Sequence, residues 1–440
     1  MCDRKRILTA VMLACLLAAA GCAGHNKNPG GGTPGAVETL PPPTPDPVRI
    51  TAMDAVEDPS AAVGTADPYA ALNPNIIEVY NPDRELYNAL YRAVDGMEPG
   101  LDVSGYDLTG GEKYTTAECL YSEAGYGLFY LDRFKLSRDG GAITFTYRED
   151  GDAVRRDRET YYARMSHLLY NVAPKHYTDL QKLMAVYDYI CETSDYSGDM
   201  SDETTMSPYG ILVKGQGICG GFAGLMEYVL NRVGVTARYV CNEPHAWNLV
   251  NLDGQWYHTD VTWGAGYYGE PANHIRTFLM DDTARQESLE TAGMDIGDII
   301  EGYPRADAEA PPACTDTRYD RYADISFCYA VDIDGGKVYY ADMEGIKRMN
   351  LEGTGVEILS DQYAYQMAYY GGVLYYLNGD GYLYQLEPGY EPVLIDVGAV
   401  CLYLKMEGTA LVYGPNDDGS GAGAISFSGY DPDAVRDAGM

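Results

Sequence analysis

A thiol, an imidazole and a carboxylate fall close together near the middle of this sequence: Cys219, His245 and Asp260. A thiolate attacks a carbonyl carbon, an imidazole carries the proton from nucleophile to leaving group, and a carboxylate holds that imidazole in one tautomer. Together they would do acyl transfer. Gly215-Gln216-Gly217-Ile218-Cys219-Gly220-Gly221 leads into an apolar run, Phe222, Leu225, Met226, Val229, Leu230 and Val233, at helical spacing and closed by Gly234. That spacing predicts Cys219 in the first turn of a buried helix, where unpaired N–H groups and the helix dipole favour an anion and lower a thiol pKa. The same N–H groups are placed to hold an oxyanion.

The elements that must bring a base to this thiol follow directly. Ala237–Asn242 reads as a strand, and His245–Leu252 and Gln255–Val261 as two more, joined by Asp253-Gly254, the strongest short hairpin signal. With a two-residue turn, His245 faces Thr262 and Trp247 faces Asp260. Asp260 is then the diagonal neighbour of His245 on one face, at ~7–8 Å between backbones. Trp247, Trp256 and Trp263 all lie in this region and are expected to shape the site and shield it from water, not to bind a cofactor. Singly, a buried Cys is usually an inert small hydrophobe, and a lone His beside a hairpin is usually structural; the order and shared context of the three residues point to chemistry. Cys241 has no helix N-terminus to support it as a nucleophile. Cys219, Cys241, His245 and His258 have no recognised zinc-ligand spacing, so neither metal nor cofactor is expected.

Gly217-Ile218-Cys219-Gly220-Gly221-Phe222-Ala223, then His245-Ala246-Trp247-Asn248, then Trp256-Tyr257-His258-Thr259-Asp260-Val261-Thr262-Trp263 resembles the bacterial transglutaminase-like superfamily. The resemblance implies a papain-like fold, with Cys219 as nucleophile, His245 as base and acid, and Asp260 as orienter. It is specific over about residues 180–285, and the helices and small strands upstream look like the upstream half of such proteins. The short interval between Cys219 and His245 favours a small core without the large lobes of animal transglutaminases. Gly264 departs from the pattern, since many relatives carry an acidic residue after the Trp. The implied activity is attack on amide bonds of peptides, proteins or cell-wall peptides, with the acyl group passed to water (peptidase) or to an amine (transglutaminase). The alternative is a catalytically idle module of the same fold that holds peptide or glycan at the cell surface.

Outside this region the sequence speaks of location. Arg4-Lys5-Arg6 precedes an apolar run, Ile7 to Ala20, too short to span a bilayer and suited to a signal peptide. It ends in Ala19-Ala20-Gly21-Cys22, which resembles a bacterial lipobox with Cys22 as the lipidated residue. Residues 1–22 are therefore expected to direct export and lipid anchoring at the outer face of the cytoplasmic membrane or envelope. Residues 23–75, dense in Pro and Gly from Pro29 to Val48, are expected to form an extended tether outside the fold. Seven cysteines follow Cys22, an odd number that leaves at least one thiol unpaired within the chain. A formal charge of −34 repels phosphate backbones and argues against nucleic-acid binding.

The expected fold class is α+β: a small α/β region over 76–150, a papain-like, transglutaminase-like core over 151–310, and an all-β region over 311–440. Asn81-Pro82 is read as the start of a helix running to Gly96, and Thr178 as the cap of a helix carrying Leu183, Tyr187, Ile190 and Cys191. In the last region Gly335-Gly336-Lys337-Val338-Tyr339-Tyr340 recurs as Gly371-Gly372-Val373-Leu374-Tyr375-Tyr376, and more weakly at Gly408–Tyr413. Such repeats look like β-propeller blades, yet three units do not close a ring. Asp332-x-Asp334-Gly335 lacks the later ligands of a calcium loop and reads as a turn. Tyrosine enrichment, 41 Tyr against 7 Phe, suits such wet β surfaces. The repeats are expected to bind a protein or a glycan.

Overall fold

A computed structural model describes residues 67–121, 128–197, 202–242, 245–266, 274–291, 300–301, 311–325, 328–407, 409–416, 419 and 421–427. The signal segment, Cys22 and the tether as far as residue 66 lie outside the described residues. No helix among the described residues is long and apolar enough to cross a membrane.

The tether expected to reach residue 75 ends earlier. Pro68–Ala71 forms a 3-10 turn, Leu72 is buried, and Asn73 caps a helix over Pro74–Tyr80. The amides of Asn73 and Asn75 then donate to the buried carboxylate of Glu227 at 2.9 and 2.8 Å, and Asn75 also donates to the carbonyl of Ala237 at 2.9 Å. Composition missed this because a Pro-rich, polar stretch folds when its amides find a buried acceptor on another element. The next helix spans Arg84–Asp95 and is capped by Asp83, whose side chain accepts from the Leu86 N–H. Asn81, read from sequence as that cap, instead ends the preceding helix at φ 41°, a left-handed conformation that Asn tolerates. A small antiparallel sheet follows, Gly100–Asp102 beside Ala142–Tyr147 beside Leu131–Leu136.

The central region is built on two helices and a sheet. Helix α1, Asp179–Thr193, opens with the expected cap at Thr178, reciprocated by Gln181. Helix α2, Cys219–Arg232, ends where Gly234 turns left-handed at φ 90°, and the Val235 N–H closes onto the Leu230 carbonyl. Strands β1, Ala237–Cys241, β2, Ala246–Leu252, and β3, Gln255–Thr259, form an antiparallel sheet in the order β3-β2-β1, with Ile300–Glu301 added beyond β1. Helix α2 packs on β1 and β2.

The C-terminal region comprises three antiparallel sheets. The sequence repeats are their second strands, Lys337–Asp342, Val373–Asn378 and Ala410–Gly414. The first strands, Tyr329–Asp332, Ala364–Tyr370 and Tyr403–Glu407, pack in succession. Among the described residues no strand returns from the third sheet to the first. Helix α1 lies against both of these sheets. Gln181 donates to the Ile333 carbonyl at 2.8 Å, the Tyr329 hydroxyl donates to Asp188 at 3.0 Å, and Lys405 meets Glu192 at 3.6 Å. One core runs from Leu72 through both helices to Tyr322, Tyr329 and Met349. The boundary drawn at residue 310 is therefore not a boundary of the core. Asp332 accepts from the Gly335 N–H and from the Tyr369 hydroxyl, which makes its loop a turn.

A chain beginning at Ile76 forfeits a buried Leu and the amide contacts to Glu227, whereas one beginning at Asp67 keeps them. The shorter chain is expected to be less stable by about 3 kcal/mol. Urea midpoints of the two check this, and equal midpoints would mean the 67–75 segment carries no stability.

Candidate active site

The hairpin register is the one the Asp253-Gly254 turn implies. Asn248 pairs with Thr259, Leu249 with His258 and Leu252 with Gln255. Asp253 and Gly254 have φ of 53° and 81°, both positive, as a type I′ turn requires. The pairing stops at Thr259, earlier than the strand read to Val261. Asp260 leaves the sheet: its N–H donates to the Thr277 carbonyl at 2.9 Å, and its Oδ1 accepts from the Trp263 N–H at 3.1 Å to cap a turn of helix over Val261–Gly264. Thr262 therefore does not face His245, because Asp is a better helix cap than a strand residue.

The departure brings Asp260 closer to the imidazole. His245 Nε2 lies 2.7 Å from Asp260 Oδ2, with both side chains buried. Burial pushes the Asp260 carboxyl up, but the neighbouring His245 and Arg285 charges and the hydrogen bonds it accepts outweigh that and hold it below the usual carboxylate range. An ionised Oδ2 can only accept, so the Nε2 proton is fixed on the ring and Nδ1 is the ring nitrogen able to accept a proton.

Cys219 is the first residue of α2 and is buried. It shares one small cluster with Ala223, Cys241 and Ala246, the residue that follows His245. His245 and Asp260 are thus in direct contact, and the thiol packs with Ala246, the first residue of β2. The start of α2 owes its place to glycine. A Cβ on Gly221 would sit 2.8 Å from the Thr205 carbonyl and 3.1 Å from that of Ser207.

Two of the three tryptophans shape the site. The His245 ring stacks on Trp247 at 5.9 Å and on Trp263 at 5.3 Å between centroids. Trp256 does not join them; its ring is covered by the Arg238 guanidinium at 4.8 Å, on the part of the sheet nearer the turn. Sequence reading missed Arg285, on helix α3, Asp282–Thr291. It is completely buried, with Nη1 2.9 Å from Asp260 Oδ2 and its guanidinium over Trp247 and Trp263 at 4.3 and 4.8 Å. A lone Arg in a polar helix carries no sequence signal for such a place.

His258, Asp282 and Cys314 offer ligand atoms within 4.8 Å of one another, a different set from the one weighed in the sequence. The hydrogen bonds there oppose a metal. Trp247 Nε1–H donates to His258 Nδ1 at 2.9 Å, which forces the proton of the neutral ring onto Nε2, and that N–H faces Asp282 Oδ1 at 2.9 Å. Burial lowers the His258 pKa and keeps the ring neutral. Asp282 Oδ2 accepts the Cys314 N–H at 3.1 Å, so the cluster fastens α3 and the Cys314 segment to β3 and holds Trp247 against His245. The seven cysteines after Cys22 are all unbridged and buried. Burial raises the Cys241 thiol to about 11 and lifts those of Cys191, Cys314, Cys328 and Cys401 as well.

This α+β arrangement is that of a transglutaminase-like domain. Residues 167–261 match the Transglutaminase-like superfamily, and the chain carries a domain of that kind. Similar curated proteins include kyphoscoliosis peptidase of Homo sapiens, 29% identical over 121 residues, 23% of this chain and 18% of that protein. Kyphoscoliosis peptidase of Mus musculus is 28% identical over 142 residues, 28% of this chain and 21% of that protein. The chain thus spans about a fifth of the length of these relatives. A solved structure described as a TGase aligns over 44% of this chain and 58% of its own, at 17% identity and a TM-score of 0.23.

Gly264, the departure noted in the sequence, has a packing reason. A Cβ there would strike the Tyr187 hydroxyl and lie 2.7 Å from Cys191 Sγ, both on α1. Gly264→Ala is expected to cost about 1–3 kcal/mol through this overlap. Denaturant midpoints check it, and a neutral substitution would show that α1 yields freely.

Proposed function

We propose that the protein is a cysteine-dependent acyl-transfer enzyme acting on peptide or protein amides, with Cys219, His245 and Asp260 as its catalytic residues. The observation that carries the reading is the buried His245–Asp260 contact at 2.7 Å, with Ala246, the residue after His245, in one packed cluster with Cys219. The Cys219 thiolate adds to the amide carbonyl, and the oxyanion is met by N–H groups at the start of α2. His245 Nδ1 gives its proton to the departing amine, the C–N bond breaks and a thioester remains. Water attacks the thioester, its proton passes to His245, and the S–C bond breaks to release the acid. The peptidase name of the two animal relatives favours water over an amine as acceptor. Trp247 and Trp263 keep the imidazole dry and in place.

The reading extends to location and partners. Export through the signal segment, lipidation at Cys22 and display on the tether would place the enzyme at the outer membrane face, acting on peptide, protein or cell-wall peptide, with the C-terminal sheets binding a protein or glycan there.

Cys219 is expected to be alkylated faster at neutral pH than Cys241 or Cys401, whose thiols burial raises. Peptide mapping after timed iodoacetamide treatment reads this directly. Asp260→Asn is expected to lower hydrolysis of an unfolded protein substrate by ~10²–10⁴. Cys219→Ala should abolish it, and the double variant should match Cys219→Ala, because members of one catalytic unit are not additive. Slow alkylation of Cys219 together with no turnover would replace the enzyme by an idle binding module of the same fold.

A further inference from the structure

Arg285 is the side chain whose place a structural role explains least. It has no exposed surface, its three nitrogens make no well-formed hydrogen bond among the described residues, and its one ion-pair partner there is the Asp260 carboxylate beside Nη1. A structural buried arginine normally satisfies its donors with several acceptors, and a well-packed apolar side chain between two indoles is usually as good or better. Burial lowers the Arg285 pKa, and Asp260 alone opposes that. What Arg285 does have is a fixed position on the atom that matters: its Nη1 and His245 Nε2 approach the same Oδ2, at 2.9 and 2.7 Å. Trp247 and Trp263, the rings that flank His245, also flank the guanidinium, so base and cation are held by one frame.

We propose that Arg285 is a positioning residue of the catalytic trio: it keeps Asp260 ionised after His245 has given its proton away, and it draws Asp260's charge from the imidazolium so that the proton leaves readily for the departing amine. The proposal rests on the reading of Cys219, His245 and Asp260 as catalytic. The electrostatics follow from charge counting. While His245 is protonated, a buried Asp260 has two cationic neighbours. When the proton leaves, Arg285 is the one cation among the described residues still in contact with it, and without Arg285 the pair would hold the proton more tightly. Arginine suits this role because it stays charged when buried and its plane fits between aromatic faces.

The other groups facing the pair leave the neutral-to-alkaline range clear. On α1, Tyr187 and Cys191 are held well above their usual values by burial. On the sheet side, burial keeps His258 low, and its hydrogen bond holds Asp282 low. Asp281 caps α3 by accepting the Ala284 N–H. On the catalytic reading Cys219 is the partner of the imidazole.

The test follows alkylation of Cys219 in the full chain by chloroacetate across pH, read by mass spectrometry. An anionic reagent is drawn to a thiolate beside an imidazolium, so the rate rises as the ion pair forms and falls when His245 loses its proton. Arg285→Met is expected to move the alkaline limb upward by about one pH unit, while Arg285→Lys, which keeps a cation, leaves it within about 0.3 unit. A structural role alone would lower rates and melting temperature without moving the limb. An unmoved limb in Arg285→Met, or a full shift in Arg285→Lys, overturns the proposal. Should Arg285→Met fail to fold, Asp260→Asn/Arg285→Met carries the test beside the lysine variant. It is expected to melt above Asp260→Asn, whose Arg285 is left as an uncompensated buried cation, and the reverse order overturns the proposal. A parent protein in which Cys219 shows no bell-shaped profile would instead remove the catalytic reading itself.

Discussion

The site depends on a carboxylate that must stay charged with no contact to water. Asp260 is completely buried, and an isolated carboxylate there would take up a proton sooner than remain an anion. Three contacts prevent it, the His245 ring and the Arg285 guanidinium on Oδ2 and the Trp263 N–H on Oδ1, while the Thr277 carbonyl accepts the Asp260 backbone N–H and fixes the main chain. Each comes from a different stretch of chain. The His245–Asp260–Arg285 cluster is therefore a convergence of a hairpin, a helix cap, a short turn and α3. Removing one partner of such a buried pair typically costs about 3–5 kcal/mol, more than most single contacts in a domain.

The surrounding structure reads as the means of holding that convergence still. The type I′ turn sets the β2–β3 register, and the register sets where Asp260 leaves the sheet. Gly264 lets the turn after Asp260 close against Tyr187 and Cys191 of α1. The chain from Trp247 through His258 to Asp282 joins β2, β3 and α3, and so fixes the indole on which His245 stacks and the helix that carries Arg285. A histidine that looks like a metal ligand by composition acts here as a relay of hydrogen bonds. Its Nδ1 is occupied by an N–H donor, which leaves no lone pair on the proton-bearing Nε2 for an ion.

The local parts of this arrangement were legible in the sequence. Positive-φ turn chemistry at Asp253-Gly254, helical periodicity after Cys219 and the Thr178 cap are each fixed by neighbours within a few residues, and the structure has all three. The triad's common face was legible only in part. The diagonal argument brought Asp260 near His245, but the contact is made by leaving the sheet, a choice that depends on the Thr277 carbonyl far along the chain. Arg285, the anchoring of Asn73 and Asn75 on Glu227, and the place of Trp256 are wholly tertiary. Nothing in the spacing of those residues distinguishes them from solvated polar positions.

Among the described residues the first and third C-terminal sheets do not pair with each other. A closed ring removes its edges by pairing last with first. Here the first and third sheets each reach α1 instead, through Tyr329 on Asp188 and Lys405 on Glu192, and the first sheet shares the core that contains α1. The helix thus contacts both the first and the third of the described sheets. An adjacent face carries Tyr187 and Cys191 against Gly264. One helix therefore touches both the turn that follows Asp260 and the ends of the repeat array, so the position of the array and the packing behind the buried carboxylate are set by the same element.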